Sequence, residues 1–118
     1  MALGKAEDRV GNTEEALAWF TRIIIEDPEL ADEARIRMGS LLFQQGDLSS
    51  AREILLPAAA SGVARAHRTL ALIYMEQNDD LRATDSINRY LYIEPNGLWA
   101  DSARQCLDEL SSGNSLNN

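Results

Sequence analysis

The chain has 118 residues, 45% of them hydrophobic and 25% charged, and carries a formal net charge of -8. That length holds a core of its own without metals or disulfides, and the acidic balance opposes attraction to phosphate backbones and anionic lipid, which makes nucleic acid and membrane surfaces poor first candidates as partners. The lone Cys106 excludes an internal disulfide and leaves the compartment open between cytoplasm and periplasm, and no apolar run approaches the ~20 residues of a membrane-spanning helix.

Taken in chain order, Gly11-Asn12-Thr13 reads as a turn after a short first helix, and Ala16, Phe20, Ile23 and Ile24 then share one helical face that stops ahead of Pro28. A second face follows on Ala34, Met38, Leu41 and Leu42. After Gly46-Asp47 comes a third, on Ala51, Ile54, Leu55 and Ala58, then a fourth on Leu70, Ile73 and Tyr74. Beyond Asn78-Asp79 a fifth lies on Ala83, Ile87, Tyr90 and Leu91, ending ahead of Pro95. Asp47 and Asp79 stand where a side-chain oxygen caps the first amides of the next helix. A last amphipathic stretch, through Ala103, Leu107 and Leu110, covers the final hairpin, and the polar tail 111–118 is expected to be disordered.

The organising fact is a repeat. Ala16, Ala51 and Ala83 each follow a turn at the same offset and recur at spacings of 35 and 32 residues, the period of one helix hairpin per unit. Small residues at these points, and at Gly4, Gly39 and Ala71 of the preceding helices, let two helices approach closely. Since an interior glycine costs ~1 kcal/mol against alanine, Gly39 reads as a packing requirement. The pattern predicts an all-α chain of about three helix hairpins, with units near 1–30, 31–62 and 63–97, a capping helix 98–110, and a repeat domain over 1–110. The shortness of the first helix suggests a chain that begins partway through a repeat, as a segment of a larger multi-repeat protein.

Several of these residues match one known pattern: Leu3-Gly4, Gly11, Ala16, Phe20 and Pro28 in the first unit, Met38-Gly39, Gly46 and Ala51 in the second, and Leu70-Ala71, Tyr74, Ala83 and Pro95 in the third. In this the chain resembles the tetratricopeptide repeat family over nearly all of Leu3 to Leu110. The second unit departs from it: no aromatic follows Gly39 at the usual place, Pro57 falls inside the helix, and no proline ends the unit. The passage from Pro57 to Gly62, followed by Ala66, Leu70 and Tyr74, is similar to a Sel1-type boundary.

The resemblance implies a right-handed superhelical stack that binds a protein or peptide in a concave groove lined by the first helix of each hairpin. Carried over by position, the groove residues are Lys5 and Arg9; Glu33, Ile36, Arg37, Ser40, Phe43 and Gln44; and Arg65, Arg68, Leu72, Met75 and Glu76. Lys5, Arg9, Arg37, Arg65 and Arg68 would meet carboxylates, and Phe43, Leu72 and Met75 would anchor apolar groups, which points to an acidic, amphipathic ligand. The competing reading packs Phe43, Leu72 and Met75 between neighbouring helices. A clamp for chaperone tails is not implied, because its places hold Met1, Lys5, Arg37, Arg65 and Thr69 and lack the asparagines.

Catalysis finds no convergent set of groups, and the chain is expected not to be an enzyme and to need no metal or cofactor. His67 reads as a histidine at a helix interface or the surface, Cys106 as a buried inert thiol, and Glu14-Glu15 and Asp79-Asp80 as acids favoured by helix dipoles. The alternative function is self-association, through Leu3 and Ala6 at the start of the chain or through Trp19 or Trp99 on an outer face. The connection from Glu94 to Ala100 is similar to those of bacterial envelope tetratricopeptide proteins, including assembly and polysaccharide-export factors.

Overall fold

The computed structural model describes the backbone of residues 2–117 and the side chains of residues 12–112. Six helices follow in order: α1 (Ala2–Glu26), α2 (Ala31–Gln44), α3 (Leu48–Ala60), α4 (Ala64–Glu76), α5 (Asp80–Ile93) and α6 (Ala100–Asn117). The described residues contain no strand, so the chain has the all-α, helical-repeat architecture that its periodicity predicts.

Local chemistry sets the turns inside the hairpins. Gly46 and Asn78 take φ values of 84° and 58°, a left-handed backbone that glycine adopts freely and asparagine tolerates. The aspartate after each accepts a hydrogen bond from an amide three residues on: Ser50 N–H donates to Asp47 at 3.3 Å and Arg82 N–H to Asp79 at 3.2 Å. Pro28 and Pro95 each lie two residues beyond the end of a helix, α1 and α5.

Packing divides the chain into two compact units, Met1–Ala58 and Ala59–Asn118. In the first, α1 lies on α2 with Phe20, Ile23 and Ile24 half-buried, and the core is drawn from Ala31, Ala34 and Ile36 of α2 and Ala51, Leu55 and Ala58 of α3. A Cβ added at Gly39 would overlap the fully buried Leu55 side chain, so the glycine is what lets α2 and α3 meet. In the second unit α4 packs on α5 and α5 on α6. Ala71, Ile87, Tyr90, Ala100 and Ala103 form its centre, with Met75, Leu91, Trp99, Cys106, Leu107 and Leu110 against it.

Four sequence expectations are corrected. Helix α1 runs unbroken through Gly11, where a turn was predicted. A glycine penalty of ~1 kcal/mol is too small to break a helix flanked by good formers such as Glu14, Glu15 and Ala16, and the breaks at Gly46 and Asn78 are enforced by helices that fold back on each other. Helix α6 continues to Asn117, past Leu110 where the apolar stripe stops, because helical hydrogen bonds are local and do not require the stripe to continue. Of the three alanines expected at close contacts, Ala51 and Ala83 are fully buried, whereas Ala16 is only half-buried. Trp99 is no outer-face residue: its ring meets Tyr90 edge-on at 5.1 Å between centroids, against the second core.

Candidate functional site

Helix α4 positions its surface residues by elimination. Its apolar and small side chains turn eight positions inward, from Ala64 to Tyr74. The five left unburied are Arg65, Arg68, Leu72, Met75 and Glu76, and the three-and-four spacing sets them on one stripe. These are the five residues expected on this helix. Within the stripe Leu72 and Met75 are half-buried, and Met75 also packs against the second core, as the competing reading of that residue required.

Helix α2 answers the expectation less uniformly. Glu33, Arg37, Ser40 and Gln44 share its outer face, with Glu33 and Ser40 half-exposed and Arg37 and Gln44 open to solvent. Phe43 is half-buried beside them. Ile36 does not belong to this surface: at 2% exposure it is a core residue, and it cannot meet a ligand. The side chains of Lys5 and Arg9 lie outside the described residues.

Most of the arginines are partnered at one helical turn. Arg37 pairs with Glu33 at 3.1 Å, Arg35 with Asp32 at 2.9 Å, Arg82 with Asp79 at 3.0 Å and Arg89 with Asp85 at 2.8 Å. Pairs of this kind on open surface each contribute ~0–1 kcal/mol. They reduce the field of the cation without fixing it rigidly, and Arg37 therefore presents a weaker positive charge than its type suggests.

Two clefts flank the first unit's outer surface. One of about 310 Å³ lies between α1 and α2 and is walled by Phe20, Ile23, Leu30 and Ala34 with Glu33 and Arg37 at its rim. The other, about 540 Å³, shares Ile23 and Leu30 and adds Trp19, which is 60% exposed. In the second unit a cleft of about 430 Å³ joins Arg65 and Arg68 to Tyr90, Glu94 and the connection through Gly97 and Leu98. The helical pattern does not reveal the far wall, because it puts Tyr90 on a core face and leaves residues 94–98 between two helices. The signal available was Pro95-Asn96-Gly97 followed by an apolar Leu98 that has no place in the helical pattern.

His67 and Cys106 sit in structural settings. His67 is buried, and its imidazole is held below the ordinary value, first by desolvation and then by the Arg89 charge, against a backbone hydrogen bond with Ala59 and the Asp85 carboxylate. Burial, with Glu109 nearby, raises the Cys106 thiol, which keeps it protonated and unreactive at neutral pH. No helix among the described residues is long and apolar enough to cross a membrane.

Helix pairs with short capped turns, glycine or alanine at the crossing points and a polar stripe on the leading helix define a helical-repeat module of the kind that binds other proteins. The chain matches the tetratricopeptide repeat family model over residues 9–73, more than half its length, and it belongs to that family. Repeats of this family generally mediate protein–protein interaction and are typically non-enzymatic. No curated protein matches the chain.

Proposed function

We propose that the chain is a non-catalytic adaptor that binds a protein or peptide at the exposed stripe of α4. The observation that carries this is the coincidence on α4: five residues escape burial, and they are the five that the family's groove positions select. A helix that buries eight of thirteen residues and keeps cations, Leu72 and a carboxylate together on the rest has a surface suited to a ligand of mixed, partly acidic character. In its own unit α2 offers a separate surface, with Arg37 and Gln44 exposed and Ser40 and Phe43 half-buried. A Sel1-like boundary between the second and third units fits α3 carrying Pro57 within it and Gly62 at φ 85°.

A second reading, self-association in an oligomeric or envelope-type assembly, is favoured by Trp19, Ile25 and Leu30, large apolar side chains at 60%, 76% and 52% exposure. Sizing the isolated chain across a concentration series, alongside a peptide-binding titration, separates the two. A monomer whose binding is lost in Phe43→Ala or Arg68→Glu supports the adaptor. A dimer that forms with concentration, dissociates in Trp19→Ala and ignores Arg68→Glu supports assembly.

A further inference from the structure

The cleft at the start of α4 has features that the stripe alone does not. Its volume of about 430 Å³ falls among those of ligand sites, ~300–1,000 Å³. Its floor is fixed: the Tyr90 hydroxyl accepts from Trp99 N–H at 3.1 Å, and Arg104 Nη2 donates to the Pro95 carbonyl at 2.6 Å, so the connection over residues 94–99 is tied at both ends. Two arginines, Arg65 and Arg68, outnumber the one carboxylate in its lining, Glu94. Arg22, Arg35, Arg37, Arg82, Arg89 and Arg104 each meet a carboxylate three or four residues away. At the corresponding distances from Arg68 stand Ala64, Arg65, Ala71 and Leu72, none of them acidic; Arg68, like Arg52 on α3, forms no ion pair among the described residues, and of these two it is the one that lines a cleft.

We infer that this cleft receives a carboxylate-bearing residue of an extended peptide, with Arg68 as its ion-pair partner and Leu98 as the apolar contact for the residue beside it. The inference rests on the protein-binding reading above and specifies where the acidic part of the ligand goes. A guanidinium offers a carboxylate two parallel donors, and a partner supplied from outside gives Arg68 what its own helix withholds. Leu98 stands wholly exposed at the rim of the same cleft. The occupant is extended because a compact cleft of this volume is roughly 9 Å across, narrower than the ~10–12 Å diameter of a helix with its side chains.

The test is a titration of the isotope-labelled full chain with three pools of synthetic octapeptides, followed by amide resonances. One pool carries a central Glu followed by Leu with amidated ends, the second has Gln in place of Glu, and the third has no acidic side chain but a free C-terminus. The Glu pool is expected to shift Arg68, Leu98 and Trp99 and the Gln pool to leave them unmoved; a response to the third pool would mark a chain terminus as the carboxylate's source. Arg68→Glu should weaken the Glu pool about tenfold or more and Arg68→Gln somewhat less, with helicity unchanged because the side chain is exposed. Equal response to the Glu and Gln pools, or binding indifferent to both variants, overturns the inference. Shifts confined to Glu33 and Arg37 overturn the inference and leave the adaptor function standing, whereas silence with all three pools overturns both.

Discussion

Helices α2 and α4 hold the same place in their hairpins, yet α4 buries eight of its thirteen residues and α2 only four of its fourteen. The sequence accounts for the difference. In α4 the charged residues Arg65, Arg68 and Glu76 fall on one side and small or apolar residues on the others, so a single stripe remains. In α2 Ile36, Met38, Leu41, Leu42 and Phe43 are spread around the helix, and no pattern of types alone says which of them the core will take. It takes Ile36 and leaves Phe43 half out. An exposed face is legible from sequence where burial is nearly complete, and ambiguous where apolar residues exceed the core available to them.

The sharpest way to probe the two units is to hollow each core in turn. Leu55→Ala in the first and Ile87→Ala in the second remove fully buried side chains, and each should cost about 2–5 kcal/mol in chemical denaturation. Each substitution is expected to lower hydrogen-exchange protection mainly in the helices whose core it hollows. Uniform loss across both would break the comparison.

A smaller effect tests the α2 crossing. Gly39→Ala places a Cβ against Leu55 and should destabilise by about 1–3 kcal/mol despite alanine's better helix propensity. Combined with Leu55→Ala, its cost should shrink, because the obstructing side chain is gone. Simple additivity of the two would mean that the glycine is not a contact point.

The caps should be worth less again. Asp47→Ala and Asp79→Ala each remove an acceptor from the first turn of a helix, for an expected cost of about 1 kcal/mol by thermal melting. Asp79 should be the costlier of the two, since its carboxylate also pairs with Arg82 at 3.0 Å.

The mildest contrast is one of pH. His67 is the single histidine, buried in the second unit, with its folded value lowered from 6.5 by desolvation and the Arg89 charge. The unfolded chain takes up the proton first as pH falls, so the stability that the neutral imidazole confers is present above about 6.5 and is lost as pH drops through the folded value. Exchange protection, corrected for intrinsic rates, should decline in α4 and α5 over that window and hold in α2. His67→Gln should remove the decline.

Much of the fold was legible because its signals are local. The helix faces, the capped turns at Gly46-Asp47 and Asn78-Asp79, and the stops before Pro28 and Pro95 depend on neighbours in the chain. What was not legible depended on contacts made or not made at a distance. Gly11 has the composition of a turn but lies in a continuous helix, since glycine permits a break that only packing enforces. Ile36 fits a groove position by spacing and is a core residue by contact. The cleft beside Arg68 needed Tyr90, Glu94 and Leu98 brought together across about thirty residues of chain, which no periodicity encodes.

The central claim is that the exposed stripe of α4 carries recognition. Partner capture by the chain should be compared for wild type, the double variant Arg65→Glu/Arg68→Glu, and the double variant Leu81→Glu/Tyr92→Glu, whose positions are 87% and 90% exposed on α5. The account predicts that capture is lost in the arginine reversal and kept in the α5 variant; the opposite pattern would contradict it.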